Sequence, residues 1–202
     1  MTGPARRDRY HHGDLPDALV ETAIVLIGER GPAAFSMAEA SRRLGVAPSA
    51  PYRHFAGRDA LLAAVAVRAA GLLSERLGRA AGSGPPPQRL AAAADAYVRF
   101  ADEQRALFQA LAGSGLDKDR HPEIAHAAQP IGALFLSAAA DLDDGDQATA
   151  ARLVSAIVAT AHGHATLLLD GTFGPGAEAA DTAARQAAAA TLALIAGRQA
   201  LT

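Results

Sequence analysis

The stretch from Gly31 to Leu62, GPAAFSMAEASRRLGVAPSAPYRHFAGRDALL, restricts the fold more than any other part of the chain. Ser36, Met37, Ala38 and Glu39 have the spacing of a capping box. In that arrangement the hydroxyl accepts the N–H of the residue three positions on, and the carboxylate reaches back to the first N–H. Met37, Ala40 and Leu44 then recur on one face of a short helix. Gly45 stands where a left-handed residue ends it, since glycine has no Cβ to clash there. Pro48 can open a second helix, because a first helical position needs no N–H partner. That brief segment carries Ser49, Tyr52, Arg53 and His54. Two helices joined by a Gly-containing turn, the second short and bearing aromatic and cationic groups, form the helix-turn-helix pattern. Its second helix enters the DNA major groove.

Two details modify the second helix. Ala47 occupies its N-cap position and offers no side-chain acceptor, a loss of ~1 kcal/mol locally. Pro51, in its first turn, removes a backbone donor. The expectation is a short, 3₁₀-like recognition helix beginning at Pro48.

The same residues resemble the TetR family of transcriptional regulators. The likeness rests on Gly31, Ser36, Leu44-Gly45-Val46, Tyr52-Arg53-His54-Phe55, and Leu61-Leu62 after Gly57-Arg58-Asp59. Tyr10-His11-His12-Gly13-Asp14-Leu15 is similar to the entry of one subgroup of that family. The segment Ala161-His162-Gly163-His164, running on to Asp170-Gly171, is similar to that subgroup's C-terminal domain. There a Trp precedes the His-Gly pair by four positions, and this chain has Val158 at that place and no Trp at all. The resemblance implies a homodimer on an inverted repeat of double-stranded operator DNA, with the last two helices as the dimer interface. It also implies a small-molecule effector bound among the middle helices.

DNA-contact roles follow from side-chain chemistry. Ser36 and the free N–H groups behind it make a phosphate-binding helix start. Tyr52 offers a hydroxyl to phosphate and a ring to a thymine methyl, Arg53 can fork onto guanine, and Ser49 can bond either base type. His54 and Arg58 stand where the resemblance implies phosphate contacts, with Arg58 in place of the usual Lys. Arg6, Arg7 and Arg9 fit a DNA arm or a solvated tail equally well, and Arg42 and Arg43 fit a solvated helix face.

Composition narrows the alternatives. The chain has 202 residues, half of them hydrophobic, and a formal charge of −2. Residues 1–58 hold eight arginines against six acidic residues, whereas residues 59–202 hold eleven basic against fifteen acidic residues. A mildly basic head on an acidic body suits a protein that touches nucleic acid with one end. The absence of cysteine excludes disulfides and thiol catalysis. No apolar signal core and no unbroken run of about 18 apolar residues stands out, which points to the cytoplasm and to no membrane partner.

After the motif the chain reads as helices separated by a Gly/Pro-rich break at 82–87, mixed loop and short helix at 113–128 and a Gly-rich linker at 171–176, giving an all-α fold. A three-helix DNA-binding domain at 1–58, including the N-terminal arm, precedes a helical effector-binding and dimerisation domain at 59–202. A connecting helix at 59–80 leads into it, followed by helices at about 88–112, 131–140, 147–169 and 177–197. Tyr97, Phe100, Phe108, Phe135 and His162 are the candidate effector-pocket lining, and plain core is an equal reading for the aromatics. The few polar groups on the body's apolar faces suggest a mostly apolar effector of modest size.

Catalytic motifs are missing: there is no G-x-S-x-G, P-loop or dinucleotide fingerprint. His162 and His164, two apart on a helix, point in different directions and do not chelate together. No metal and no cofactor is expected. A DNA-binding regulator, most simply a repressor released by its effector, fits best. A helical ligand-binding or carrier protein with a non-functional DNA head, and a helical enzyme of unrecognised type, stand as alternatives.

Overall fold

A computed structural model describes residues 15–117, 119–142 and 146–200. The N-terminal arginines Arg6, Arg7 and Arg9 lie outside the described residues. Among those described, eight α-helices and three 3₁₀ turns occur and no strand. The head comprises α1 (Leu15–Arg30), a 3₁₀ turn at Pro32–Ala34, α2 (Met37–Leu44) and a 3₁₀ turn at Pro51–Arg53. The body comprises α3 (Arg58–Ala81), α4 (Pro86–Glu103), α5 (Arg105–Ala112), α6 (Pro122–Ala140), α7 (Gln147–Leu169) and α8 (Ala177–Ala196).

Helix α4 is the axis of the body and packs on α3, α5, α6, α7 and α8. Its inward face is largely alanine, and α8 answers with Ala180, Ala183, Ala184 and Ala187, all buried. Small side chains at helical spacing leave little between two backbones, so the helices can approach closely. The larger apolar groups, Leu62, Leu73, Leu77, Phe100, Phe135, Leu153 and Ile157, fill the space between the other pairs. One continuous core runs from Leu19 and Ile27 in the head to Ile195 in the body. Helix α1 touches α5 as well as α2 and α3, and a Cβ at Gly28 would stand 3.6 Å from the Ala106 Cβ.

The helix expected over 88–112 is two helices. Gln104, at φ −122° and ψ 46°, leaves the helical region and caps both. Its N–H donates to the Phe100 carbonyl at 2.8 Å and its carbonyl accepts from Phe108 at 2.9 Å. The break lets Phe100 enter the core beside α4 while α5 turns onto α1 and α3. The helix expected at 131–140 begins nine residues earlier, at Pro122, and runs through Pro130. Pro122 sits in the first turn, where its missing donor costs nothing. Pro130 forgoes one internal bond, yet the helix continues because Ile124, Phe135, Ala138 and Ala139 bury its apolar face.

Helix α7 is long and apolar enough, by length and composition alone, to cross a bilayer, although Arg152, Ser155, His162 and His164 interrupt its apolar run. Only 28% of its 18-residue apolar window is buried in the protomer, and it packs on α4, α6 and α8. Asp146 caps it, accepting from the Ala148 N–H at 3.1 Å.

Candidate nucleic-acid interface and effector cavity

The head begins with the cap at Ser36. Its Oγ accepts the Glu39 N–H at 3.1 Å, which is half of the expected box. The other half is absent, because the Glu39 carboxylate pairs with Arg42. Helix α2 ends as its sequence requires: Gly45 is left-handed at φ 66°. The N–H groups of Gly45 and Val46 close onto the carbonyls of Arg42 and Ser41 at 3.2 and 3.0 Å. That pair of bonds is a Schellman ending, which satisfies two orphan carbonyls. Arg43 forks onto both oxygens of Glu29 at 2.8 and 3.0 Å, tying α2 to α1. The Arg43 bond holds the Glu29 carboxyl below its usual range.

The recognition segment is shorter than the sequence suggested. Pro48, expected to open a helix, is an exposed turn residue, as is Ser49. Regular structure starts at Pro51, which is buried and occupies the first position of the 3₁₀ turn. There its missing donor interrupts nothing. Two tight bonds shape the turn, from the N–H groups of His54 and Phe55 to the Pro51 carbonyl, both at 3.0 Å. With Pro51 and Phe55 packed inward, Tyr52, Arg53 and His54 are left on the outside. Tyr52 is 58% exposed, with its ring turned largely to solvent. Ser36 lies exposed at the start of α2 on the same head.

Arg58, expected at a phosphate, has partners within the head. Its Nε donates to the Phe35 carbonyl at 3.1 Å, one Nη to the Pro32 carbonyl at 2.6 Å, and the other to Asp59 at 3.0 Å. These bonds fasten the first residue of α3 to the turn that leads into α2. A guanidinium so held keeps the motif in shape, and 37% of the side chain stays exposed.

In the body, three of the five candidate pocket residues meet. The hydroxyl of Tyr97 lies 3.1 Å from Nδ1 of His162. The Phe108 ring stands edge-on to Tyr97 at 5.8 Å between centroids and 5.6 Å from the imidazole. Burial pushes the Tyr97 phenol up to about 12. A cavity of about 260 Å³ opens beside this cluster, lined by Phe108, His162, Ala112 and Leu169, with Arg105 and Asp170 also in its wall. Phe100 and Phe135, expected in the lining, are 2% and 1% exposed and belong to the core. Each fills the space between packed helices and lines none of that cavity.

Sequence reasoning misses Arg105. It donates to the Leu169 carbonyl at 2.9 Å, at the end of α7. Its only sequence signal is a basic residue among polar neighbours, which a solvated face shares. His162 and His164 diverge as their spacing requires. His164 bonds the Thr160 carbonyl at 2.9 Å and stacks on Phe173.

Two family models match the chain. "Bacterial regulatory proteins, tetR family" covers residues 19–65, and "Tetracyclin repressor-like, C-terminal domain" covers residues 90–191. No curated protein matches. Among solved structures, a Rhodococcus protein of unknown function is 27% identical, with 93% of this chain and 98% of that chain aligned at a TM-score of 0.74. A tetR-family transcriptional regulator from Streptomyces coelicolor is 24% identical over 96% of this chain and 85% of its own, at 0.73. The TetR-family regulator PfmR from Thermus thermophilus is 19% identical over 88% and 96%, at 0.62. The last two likenesses bear on the fold alone.

Proposed function

The chain belongs to the TetR family of DNA-binding transcriptional regulators, and we propose that it acts as a homodimeric repressor released from its operator by a small, mostly apolar effector. It is not an enzyme. The observation that carries the release mechanism is the position of α5. This helix lines the cavity with Phe108 and packs on α1 of the head. A ligand that favours one placement of α5 therefore has a packed route to the DNA-binding surface, and needs only a differential affinity for the two dimer shapes.

Residues 1–58 serve as the DNA-binding domain and residues 59–202 as the effector and dimer domain. Ser36 caps toward phosphate, Ser49, Tyr52 and Arg53 read bases, and His54 reaches the backbone, while Pro48 shapes the turn. One 3₁₀ turn reads few base pairs, so two copies on an inverted repeat are needed, with half-sites about one helical turn apart. The outer faces of α7 and α8 suit the dimer contact: Val158, Leu167 and Leu192 are exposed in the protomer. The working place is the cytoplasm, where operator DNA is. The alternative of a carrier with a dead DNA head is not favoured, because the family match includes the head itself.

The test is calorimetry on a duplex selected from genomic fragments by the purified protein. The ligand should weaken operator binding by a coupling of ~1–3 kcal/mol, and operator should weaken ligand binding by the same factor. Equal ligand affinity with and without operator would refute the release mechanism.

A further inference from the structure

A polar pair, Tyr97 and His162, stands at the cavity, and only His162 lines it. The Tyr97 hydroxyl has a single partner among the described residues, Nδ1 of His162. A part-buried O–H without an acceptor costs about 1–3 kcal/mol, and Nδ1 is the acceptor within reach. With the hydroxyl donating to Nδ1, a neutral imidazole carries its proton on the opposite nitrogen, Nε2. Nε2 has no partner among the described residues, and His162 lines the cavity while Tyr97 does not. The cavity thus presents an N–H donor, backed by a residue that fixes it there.

The rest of the lining limits what can meet that donor. Phe108, Ala112 and Leu169 make the apolar part of the wall, Gln109 and Thr166 add an amide and a hydroxyl, and the Phe108 ring lies 5.6 Å from the imidazole at an interplanar angle of 31°. A flat ring placed beside them meets another ring. The two charges, Arg105 and Asp170, are of opposite sign, and Arg105 is engaged with the last carbonyl of α7. No net positive charge is available to hold an anion. The volume, about 260 Å³, is at or below the small end of ligand sites, which run from ~300 to ~1,000 Å³. One or two rings fit.

We propose that the cavity selects neutral aromatic carbonyl compounds of one or two rings, with the Nε2–H of His162 as the specificity-determining donor and Tyr97 as the positioning residue that sets its tautomer. This rests on the cavity being the effector site.

Two measurements on the full-length protein test it, and neither uses DNA, so a failure of operator release is distinguishable from a failure of this assignment. The first is nitrogen-15 NMR of the His162 imidazole at neutral pH. The parent should show the Nε2–H tautomer, and Tyr97→Phe, which keeps the ring and removes the donor, should show a mixture. The second is binding of three probes of matched shape: acetophenone, ethylbenzene and benzoate. Acetophenone should bind about tenfold tighter than ethylbenzene, the worth of one hydrogen bond, and tighter than benzoate. The preference over ethylbenzene should vanish in His162→Phe and shrink in Tyr97→Phe, with both variants checked for parental helicity. An Nδ1–H tautomer in the parent overturns the proposal. So does equal or absent binding of acetophenone and ethylbenzene, tighter binding of benzoate, or a preference that survives His162→Phe.

Discussion

The head and the body share one core, yet different forces shape them. In the head, short elements are held by polar fasteners: the Ser36 cap, the Gly45 ending, the Arg43–Glu29 fork and the Arg58 bonds to the Pro32 and Phe35 carbonyls. Helix α2 has eight residues and the recognition turn three, too few to stand by helical propensity. In the body, helices of 18 to 24 residues, among them α3, α4, α7 and α8, are held by apolar stripes. Its ion pairs, such as Arg76–Glu103 and Arg99–Asp181, lie at the surface. A DNA-reading surface must keep its polar groups outward and fixed, so directional bonds suit it. A body that binds an apolar ligand and a second copy of itself works through area.

The largest effect should come from the body's outer face. Leu192 is 43% exposed in the protomer. If a partner covers it, Leu192→Asp buries an unpaired charge and costs the dimer ~3–5 kcal/mol. Light scattering should then report monomers with parental helicity. A dimer of unchanged stability would move the interface off this face and remove half of the contrast.

Next comes Arg58→Ala. Losing its bonds to two part-buried carbonyls should cost ~1–3 kcal/mol in urea unfolding. DNA affinity should fall because the motif loosens, with the salt slope unchanged. A slope flatter by about one unit would return Arg58 to a phosphate. Arg53→Ala provides the opposite pattern, with parental stability and lost discrimination at particular base pairs.

A smaller effect is expected at Gly45. No atom lies within 4 Å of an added Cβ, so Gly45→Ala meets only backbone strain at φ 66°. About 1 kcal/mol of stability should be lost, and a Tm unchanged by the substitution would mean the turn can relax.

The smallest effect belongs to the body's surface pairs. The two bonds from Arg76 hold the Glu103 carboxyl below its ordinary value of 4.5. A depressed carboxylate stabilises the fold above that ordinary value, and the contribution disappears as pH falls through the lowered one. The pair is half exposed, so Glu103→Gln should change stability at pH 7 by less than about 1 kcal/mol. The variant's unfolding curve should also be flatter than the parent's below pH 4.5. Parallel curves would show that the pair contributes nothing.

Local chemistry makes the head readable from its sequence. A cap, a left-handed glycine and an exposed Tyr-Arg-His run each leave a signature within a few residues. The bonds of Arg58 within the head leave no such signature, because their acceptors are carbonyls more than twenty positions away. In the body, long apolar stripes mark α7 and α8 well. The break at Gln104 carries neither Gly nor Pro, and it exists because α4 and α5 pack on different neighbours. Pro130 misleads in the opposite direction, since burial of one helix face outweighs a missing bond. The pocket candidates divide on the same ground: Tyr97, Phe108 and His162 converge from three helices, while Phe100 and Phe135 do not.

The joint at Gln104 joins two attachments of opposite kind. On one side Glu103 grips Arg76 of α3, the helix that begins at the DNA head; on the other, Arg105 rests on the last carbonyl of α7 at the cavity. Three consecutive residues thus connect α3 and α7 across the break between α4 and α5. A displacement at the cavity end also reaches the head through α5, which packs on both α1 and α3. A substitution that changes the backbone preference of Gln104 should therefore alter the coupling between cavity and head while leaving the side chains of both in place.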